Sequence, residues 1–433
     1  MNYNKAFNRY QINCLLILYI SSLLSGMFIL KSSVTVRPEN LISPIFIIGM
    51  LFYVMAITDR INVSKLSLFY VCFICLNWMV SVFLSPVLMD SIKGLLTLTL
   101  LIFTFITTIS TISLDNQSLV KLSTIAFLVL GTIEAVYGIV SYVVYLTNGT
   151  DIGGLMHGQQ GLSISVKGTF EEANIFGAFN SIVILLILSL LINGYYKKKN
   201  WILIILLIIN FGAIILSWTR SAWLGTLLGV LFILLINKSQ IIKLKNFLLL
   251  IFIAGSIVLI INYISPIFDK LSGNNGLFYT KISEIFDPQS DTAVYRMNEF
   301  QVAINQWSHS PFFGNGYLSI KAFGETKWIS NIFLLLLDDS GIIGALLFFC
   351  PLAWVLFKSI KVSHLASKLS SPQYSAYITG LTAGLISLLF VFNFTPTHTL
   401  LFFWWYLSLL ILFITNYKKM MFIQVDNDAK SSK

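Results

Sequence analysis

Long apolar segments separated by short polar ones dominate the chain. Twelve of these segments approach the roughly 20 residues that a helix needs to cross the hydrocarbon core of a bilayer. They lie at about 11–30, 41–57, 66–86, 93–113, 122–146, 174–194, 201–218, 221–236, 247–264, 331–357, 374–394 and 399–416. The pattern predicts an all-α polytopic membrane protein with about 12 transmembrane helices. We expect a single transmembrane domain over residues 1–417, followed by a disordered cytoplasmic tail at 418–433.

The composition excludes a water-soluble protein. Of the 433 residues, 57% are hydrophobic and 11% are charged, and the mean hydropathy is +0.84. A soluble domain has about 45–50% apolar and about 25% charged residues. The first apolar segment is too long for a signal-peptide core and lacks a small-residue cleavage pattern, so we expect it to stay as the first helix.

The basic residues indicate how the chain is oriented. If the N-terminus is cytoplasmic, the connections after even-numbered helices are cytoplasmic too, and most lysines lie in them, as the positive-inside rule requires. Both termini are therefore predicted in the cytoplasm and the protein in the cytoplasmic membrane. Because topology accounts for the formal charge of +10, the charge indicates no nucleic-acid partner.

Two large connections, residues 147–173 and 265–330, are predicted on the outer side, the second between helices nine and ten. We expect the chemistry there. Four apolar residues of the second loop recur at helical spacing: Met297, Phe300, Ile304 and Trp307. This spacing predicts an amphipathic helix at the outer membrane face. Such a helix either covers a substrate groove or packs on the bundle and seals its top.

Two arginines are candidates for anion binding. Arg220 lies in T-R-S-A-W-L-G, in a tight outer turn between the seventh and eighth helices, and Arg296 lies in the large outer loop. A guanidinium group binds two phosphate oxygens at once. A pair of them beside a leaving diphosphate would stabilise the charge that grows in the transition state. The alternative is that each arginine reaches lipid headgroups.

The first outer loop ends in S-V-K-G-T-F-E-E-A-N-I-F-G, which places Lys167, Glu171, Glu172 and Asn174 at the start of the sixth helix. A carboxylate there would accept a proton from an attacking sugar hydroxyl. The alternative is a favourable interaction of the acids with the helix dipole.

Acids inside apolar segments are functional candidates as well, because burying them in lipid is costly. Glu134 lies in the fifth segment, and Asp338 and Asp339 lie in the tenth. Asp339 has a second interpretation, in which it pairs with an arginine of a neighbouring helix and holds the bundle together.

The sequence predicts neither a metal site nor a cofactor. The four histidines have no metal-ligand spacing, and Cys72-x-x-Cys75 lacks a second ligand pair. No glycine-rich nucleotide-binding motif follows a strand.

Four motifs, in this order, resemble the O-antigen polymerase and ligase family of bacterial envelope polysaccharide enzymes. They are F-E-E-A-N-I-F-G; T-R-S-A-W-L-G, similar to a Ser-Arg-Gly turn; H-S-P-F-F-G-N-G-Y, similar to His-Pro-x-x-Gly-x-Gly; and N-I-F-L-L-L-L-D-D-S-G-I-I-G, similar to Asn-x-Tyr-Leu followed by acid-x-Gly. Together they lie within residues 167–344.

The resemblance implies glycosyl transfer outside the cytoplasmic membrane, from a sugar chain carried on undecaprenyl diphosphate. An acceptor hydroxyl attacks the anomeric carbon of the donor, and the lipid diphosphate leaves without help from a metal or a nucleotide. The implied partners are the lipid-linked oligosaccharide and membrane lipids, with a chain-length regulator and a flippase.

The resemblance also implies roles for individual residues. Arg220 and Arg296 would bind the diphosphate, and Glu172 would act as base or orient the sugar, with His309 as the reserve base. The implied substrate contacts are Lys167, Glu171, Asn174, His309, Asn331 and Asp339.

The ligase branch of that family carries a histidine directly before the Asn of the fourth motif, whereas this chain has Ser330. The difference favours a polymerase, which joins repeat units, over a ligase, which transfers a finished glycan to a lipid or protein acceptor. A transporter or flippase is the alternative from another class. It should show two comparable halves with broken helices, whereas the polar loops here concentrate on one side.

Overall fold

The computed structural model describes residues 30–31, 35–57, 65–111, 117–157, 164–193, 200–237, 287, 289–322, 328–368 and 372–431. Within these residues the chain is almost entirely helical, with two short antiparallel hairpins, β1–β2 and β3–β4. The elements are β1 (Leu30–Lys31), β2 (Thr35–Val36), α1 (Pro38–Ile57), α2 (Lys65–Leu84), α3 (Leu88–Thr111), α4 (Gln117–Asn148), β3 (Leu155–His157), β4 (Ile164–Val166), α5 (Ala173–Ile192), α6 (Asn200–Leu216), α7 (Arg220–Ile236), α8 (Asp291–Trp307), α9 (Ile332–Lys368), α10 (Pro372–Val391) and α11 (Leu401–Ser431).

The prediction of an all-α polytopic membrane protein is confirmed. Ten of the predicted apolar segments coincide with described helices, and six of these helices are long and apolar enough to cross a membrane by length and composition. The segments 11–30, apart from its last residue, and 247–264 lie outside the described residues. The total of 12 helices and the orientation of the termini stay predictions.

The described residues fall into two compact units. Those within 1–127, 294–359 and 392–433 form the first unit, and those within 128–293 and 360–391 form the second. In the first unit α3 packs against α1, α2 and α11. The predicted single transmembrane domain stays a prediction.

An aromatic cluster fills the interior of the first unit. The ring of Tyr70 lies edge-on to Phe105, Phe348 and Trp404, with ring centroids 5.2 to 6.1 Å apart. Edge-to-face contacts stabilise aromatic pairs beyond the area that they bury.

The second unit is built around α5, which is buried along nearly its whole length. Its neighbours are α6, α7 and α10. Small residues let the backbones approach closely, as is typical of membrane helices. A Cβ atom at Gly177 would lie 2.9 Å from Cβ of Ala222, and Gly229 faces Leu185 in the same way. Helices α5 and α7 therefore run parallel, with their N-termini side by side.

The tenth predicted segment, 331–357, is not one continuous helix. Gly341 has φ 63° and ψ −169°, which interrupts α9. The main-chain N–H groups of Ile342 and Ile343 donate to the carbonyls of Pro311 and Phe312, at 2.9 and 3.2 Å. A local apolar pattern carries no signal for this break, because the replacement hydrogen bonds come from a distant loop.

The prediction of a disordered tail is wrong, since α11 continues to Ser431. Extending an existing helix costs far less than nucleating a new one, and Lys418, Lys419 and Met420 are good helix formers. Hydrophilicity alone therefore did not predict the end of the helix.

Candidate functional site

The predicted site residues fall into two groups, one in each unit. Lys167, Glu171, Glu172, Asn174 and Arg220 belong to the second unit, and Arg296, His309, Asn331 and Asp339 belong to the first. The predicted joint action of Arg220 and Arg296 on one diphosphate stays a prediction.

Glu134 fixes the chain segment that leads to the first motif. Its buried carboxylate accepts hydrogen bonds from the backbone N–H of Thr169, at 2.9 Å, and from the Thr169 hydroxyl, at 2.8 Å. The backbone N–H of Lys167 donates to the carbonyl of Gly154 at 3.0 Å and extends the β3–β4 pairing. These bonds give the intramembrane acid of the fifth segment a positioning role, directly before Glu171 and Glu172.

The start of α5 is tied to the start of α7. The Thr219 hydroxyl donates to the carbonyl of Ala173 at 3.1 Å. Glu172 directly precedes α5 and Arg220 is the first residue of α7, so this bond joins the residues next to them. The first two motifs, which are separated by more than a helical hairpin in sequence, are therefore brought together.

Arg220 follows a very short connection, as the sequence predicted. Helices α6 and α7 are separated by residues 217–219 alone, and Trp218 adopts a left-handed φ of 55° there. Few non-glycine residues adopt this conformation. The reversal in three residues holds Arg220, which is half-buried, at the N-terminus of α7.

Two parallel helix N-termini next to an arginine favour an anion. Each N-terminus carries a partial positive charge and unpaired N–H groups. The N-cap residues of α5 and α7, Glu172 and Thr219, make no side-chain capping bond. Acceptor oxygens of a ligand would therefore satisfy backbone donors that these side chains leave unused.

Glu172 does not cap its helix, although it has the extended conformation of an N-cap residue, with φ −134° and ψ 148°. The side chain is exposed. Partial desolvation and the neighbouring Glu171 carboxylate raise the pKa of Glu172 above its ordinary value. Lys167 and Asn174, its predicted companions, are half-buried.

Arg296 and Glu299 lie one helical turn apart on α8, in the first unit. The Arg296 guanidinium carbon lies 4.8 Å from the ring centroid of Phe394, a cation–π contact. Glu299 is 1% exposed, and its Oε2 accepts a hydrogen bond from the Ser330 hydroxyl at 2.6 Å. The sequence analysis did not single out Glu299. Its spacing of three from Arg296 was the available signal.

Burial raises the pKa of the Glu299 carboxyl above its ordinary value. The hydrogen bond from Ser330 and the positive charge of Arg296 oppose this shift in part. Burial thus makes the carboxyl more basic. The hydroxyl that it contacts belongs to Ser330, the position at which the ligase branch of the family that the motifs resemble carries its histidine.

Asn331 begins α9 as its capping residue. Its Oδ1 accepts from the backbone N–H groups of Phe333, at 2.9 Å, and Leu334, at 3.1 Å. Its Nδ2 donates to Oδ1 of Asn393 at 3.4 Å. The side chain fixes the direction of the chain after Ser330, and its predicted substrate contact stays a prediction.

Asp338 and Asp339 hold the segment 315–319, which contains the end of the third motif. Asp338 accepts from Nδ2 of Asn315 and from the Ser319 hydroxyl, each at 2.9 Å. The fully buried Asp339 accepts from the backbone N–H of Leu318 at 2.9 Å. In the described part of the chain, Asp339 is thus bound by a backbone N–H group, and not by the arginine of a neighbouring helix that the alternative interpretation predicted.

His309 lies just after α8 and is exposed. Its Nδ1 lies 2.9 Å from the carbonyl of Asn305. The ring therefore stays near the end of its own helix, and its predicted role as reserve base stays a prediction.

The predicted amphipathic helix exists as α8, and two of its four apolar positions, Phe300 and Trp307, are half-buried. Met297 is 56% exposed and Ile304 is 47% exposed, whereas Ala303 is fully buried. Ala303 packs with Ile320, Ile329 and Leu335. The buried face is set by the small Ala303 and by the bond of Glu299 to Ser330, which a hydrophobic pattern does not register.

Residues 205–349 match the family model of the O-antigen ligase. The matched range includes Arg220, Arg296, His309, Asn331 and Asp339, whereas the F-E-E-A-N-I-F-G motif precedes it. No curated protein matches the chain. The family match confirms the predicted resemblance and supports a function of the general O-antigen ligase or polymerase type.

Proposed function

We propose that this chain, whose residues 205–349 match the O-antigen ligase family model, joins oligosaccharide repeat units carried on undecaprenyl diphosphate. An acceptor hydroxyl attacks the anomeric carbon of the donor sugar, and the bond from that carbon to the diphosphate oxygen breaks. The lipid diphosphate leaves at the outer face of the cytoplasmic membrane. The reaction needs cationic groups for the leaving diphosphate and an acceptor for one proton.

The observation that carries this proposal is the hydrogen bond between Thr219 and Ala173, at 3.1 Å. It holds two helix N-termini side by side next to Arg220. Positive partial charges and a guanidinium group that are fixed before the reaction stabilise developing negative charge without reorganising. A phosphate group is the part of the substrate that fits this arrangement.

Arg296 supplies a second cation in the proposal. Its guanidinium group is positioned over the Phe394 ring, a cation–π contact. Glu172, whose carboxyl caps no helix, binds or orients sugar hydroxyls. The remaining predicted contacts, Lys167, Glu171 and Asn174, belong to the same chain segment as Glu172.

Polymerisation is favoured over ligation because Ser330 stands where the ligase branch has its histidine. The donor and the acceptor are then both lipid-linked glycans, and the product grows by one repeat unit per reaction. A flippase and a chain-length regulator are the partners that such a reaction requires for supply and termination.

The test is a reconstituted reaction with the full-length protein in liposomes and purified undecaprenyl-diphosphate-linked repeat units. The wild-type protein should produce a ladder of glycan lengths on a gel. Arg220→Ala and Arg296→Ala should each reduce the rate by about 10²-fold or more, which is typical for loss of a transition-state donor, at unchanged protein abundance.

Arg37→Ala is the matched control, because Arg37 contacts the Thr399 carbonyl at 3.4 Å and has no part in the proposal. It should leave the ladder intact. A full ladder from both Arg220→Ala and Arg296→Ala would remove the role of the arginines. Transfer of one finished glycan to a non-repeating acceptor, with no ladder, would replace polymerisation by ligation.

A further inference from the structure

The contact between Glu299 and Ser330 joins two residues 31 positions apart in sequence. The hydroxyl donates to the carboxylate at 2.6 Å, a short distance that is typical of a hydrogen bond to a charged acceptor. Glu299 is 1% exposed, while Ser330 is half-buried. The pair therefore joins a buried carboxylate to a half-buried serine.

Burying a carboxylate costs free energy, which the hydrogen bonds from Ser330 and Tyr295 and the positive charge of Arg296 offset in part. A glutamine would have the same shape, would accept the same bond from Ser330 and would avoid that cost. The bond from Ser330 alone thus gives no reason for the charge, which the neighbouring Arg296 favours. The negative charge makes Glu299 a proton acceptor beside the Ser330 hydroxyl.

The surroundings of the pair fit a transfer reaction. Arg296 lies one turn before Glu299 on α8 and over the ring of Phe394. Asn331 follows Ser330 directly and caps α9, with its amide toward Asn393. The Ser330 hydroxyl thus lies between the start of α9 and the buried Glu299 carboxylate, close in the fold to the Arg296 guanidinium group.

We propose that Ser330 and Glu299 form a proton relay for the acceptor sugar hydroxyl, which deepens the proposed function and rests on it. As the acceptor oxygen bonds to the anomeric carbon, its proton passes to Oγ of Ser330. The Ser330 hydroxyl proton passes at the same time to Glu299. The electron pair of the broken glycosidic bond leaves with the lipid diphosphate, so the only net change in the protein is one proton on Glu299, later released to water.

The relay has a defined pH dependence. Glu299 must be ionised to accept the proton, and burial raises its pKa above the ordinary value of a glutamate. The rate should therefore fall as the pH decreases through this raised pKa, and should reach a plateau above it. Glu172 orients the sugar in this scheme and does not produce the limb by itself.

The experiment measures the pH–rate profile of the reconstituted full-length protein with purified lipid-linked repeat units. Glu299→Gln should reduce the rate at the plateau by about 10²-fold or more, as loss of a general base does, and should abolish the acidic limb. Ser330→Ala should give a similar loss. Binding of the lipid-linked donor should stay within a few-fold of wild type in both variants, which a collapsed site would not allow.

Asp90→Asn is the matched acid control, because Asp90 is an exposed residue of the same unit that pairs with Lys321 at 3.2 Å. It should keep the wild-type profile. The relay would be contradicted if Glu299→Gln kept the wild-type rate and acidic limb. It would also be contradicted if Glu172→Gln lost the acidic limb while Glu299→Gln did not. Neither result would contradict the glycosyl transfer itself. Absence of product from the wild-type protein would instead contradict the proposed function.

Discussion

The paired helix starts of the second unit and the interrupted helix of the first unit are two different ways to hold a polar segment within an apolar bundle. At the starts of α5 and α7, one threonine hydroxyl and small residues such as Gly177 bring two regular helices together. At Gly341, a loop supplies main-chain groups that replace the hydrogen bonds of the helix itself.

Side chains determine the first arrangement, whereas main-chain hydrogen bonds determine the second. Four main-chain bonds join the loop to α9, since Asn315 and Gly316 also donate to the carbonyls of Asp338 and Asp339, at 2.7 and 3.0 Å. A Cβ atom at Gly314 would lie 2.5 Å from the backbone nitrogen of Ser340. The two regions should therefore respond to different substitutions.

The largest effect is expected from Gly341→Ala. Gly341 has φ 63°, and an added Cβ would collide with main-chain atoms of Phe312. The left-handed conformation costs a non-glycine residue about 1–2 kcal/mol, and overpacking adds about 1–3 kcal/mol. We expect a loss of roughly 3 kcal/mol in the free energy of unfolding, measured by denaturation of the purified protein in detergent.

Gly149→Ala is the control for that experiment. Gly149 has φ 68°, but no atom lies within 4 Å of its added Cβ. This variant should show only the conformational cost of about 1–2 kcal/mol. Equal losses in Gly341→Ala and Gly149→Ala would mean that the loop does not pack tightly into the interruption.

A smaller effect on the free energy of unfolding should distinguish alanine substitutions at Asn331 and Glu172, the residues that precede α9 and α5. Asn331→Ala removes two capping bonds and should cost about 1 kcal/mol in unfolding free energy. Glu172→Ala removes none and should stay within about 0.5 kcal/mol of wild type. Asn331→Asp, which keeps the acceptor oxygen, should recover most of the loss. A larger loss in Glu172→Ala than in Asn331→Ala would mean that Glu172, and not Asn331, caps its helix.

The smallest effect is expected from Thr219→Val, which removes the hydroxyl between the two helix starts. Because Val has nearly the same shape, the loss should be that of one neutral hydrogen bond, about 0.5–1.5 kcal/mol. Thr226→Val on the same helix is the control, since its hydroxyl donates only to Ala222 of that helix, at 2.7 Å. Identical melting temperatures for the two variants would show that the link between α5 and α7 is not needed for stability.

The regular part of this architecture was predictable from the sequence because it depends on local pattern. Apolar segment lengths predicted ten of the described helices, and the short polar interval at 217–219 predicted the turn before Arg220. Apolar segments and short turns are features of residues that are neighbours in sequence, so they can be recognised in the sequence alone.

The rest depends on contacts between distant residues. The interruption at Gly341 needs donors and acceptors from residues 311–316, and the burial of Glu299 needs Ser330. The orientation of α8 follows from these contacts rather than from its own apolar stripe. Such pairings have no periodicity, which is why Glu299 does not stand out in the sequence.

The interruption of α9 also determines which loop positions are free to change. At Pro311 and Phe312 the joint uses main-chain carbonyls, so its hydrogen bonds there do not depend on the exposed aromatic side chains beside it. Phe312 and Phe313 are 65% and 49% exposed beside it. Those two side chains can therefore be exchanged without loss of the main-chain hydrogen bonds that interrupt α9.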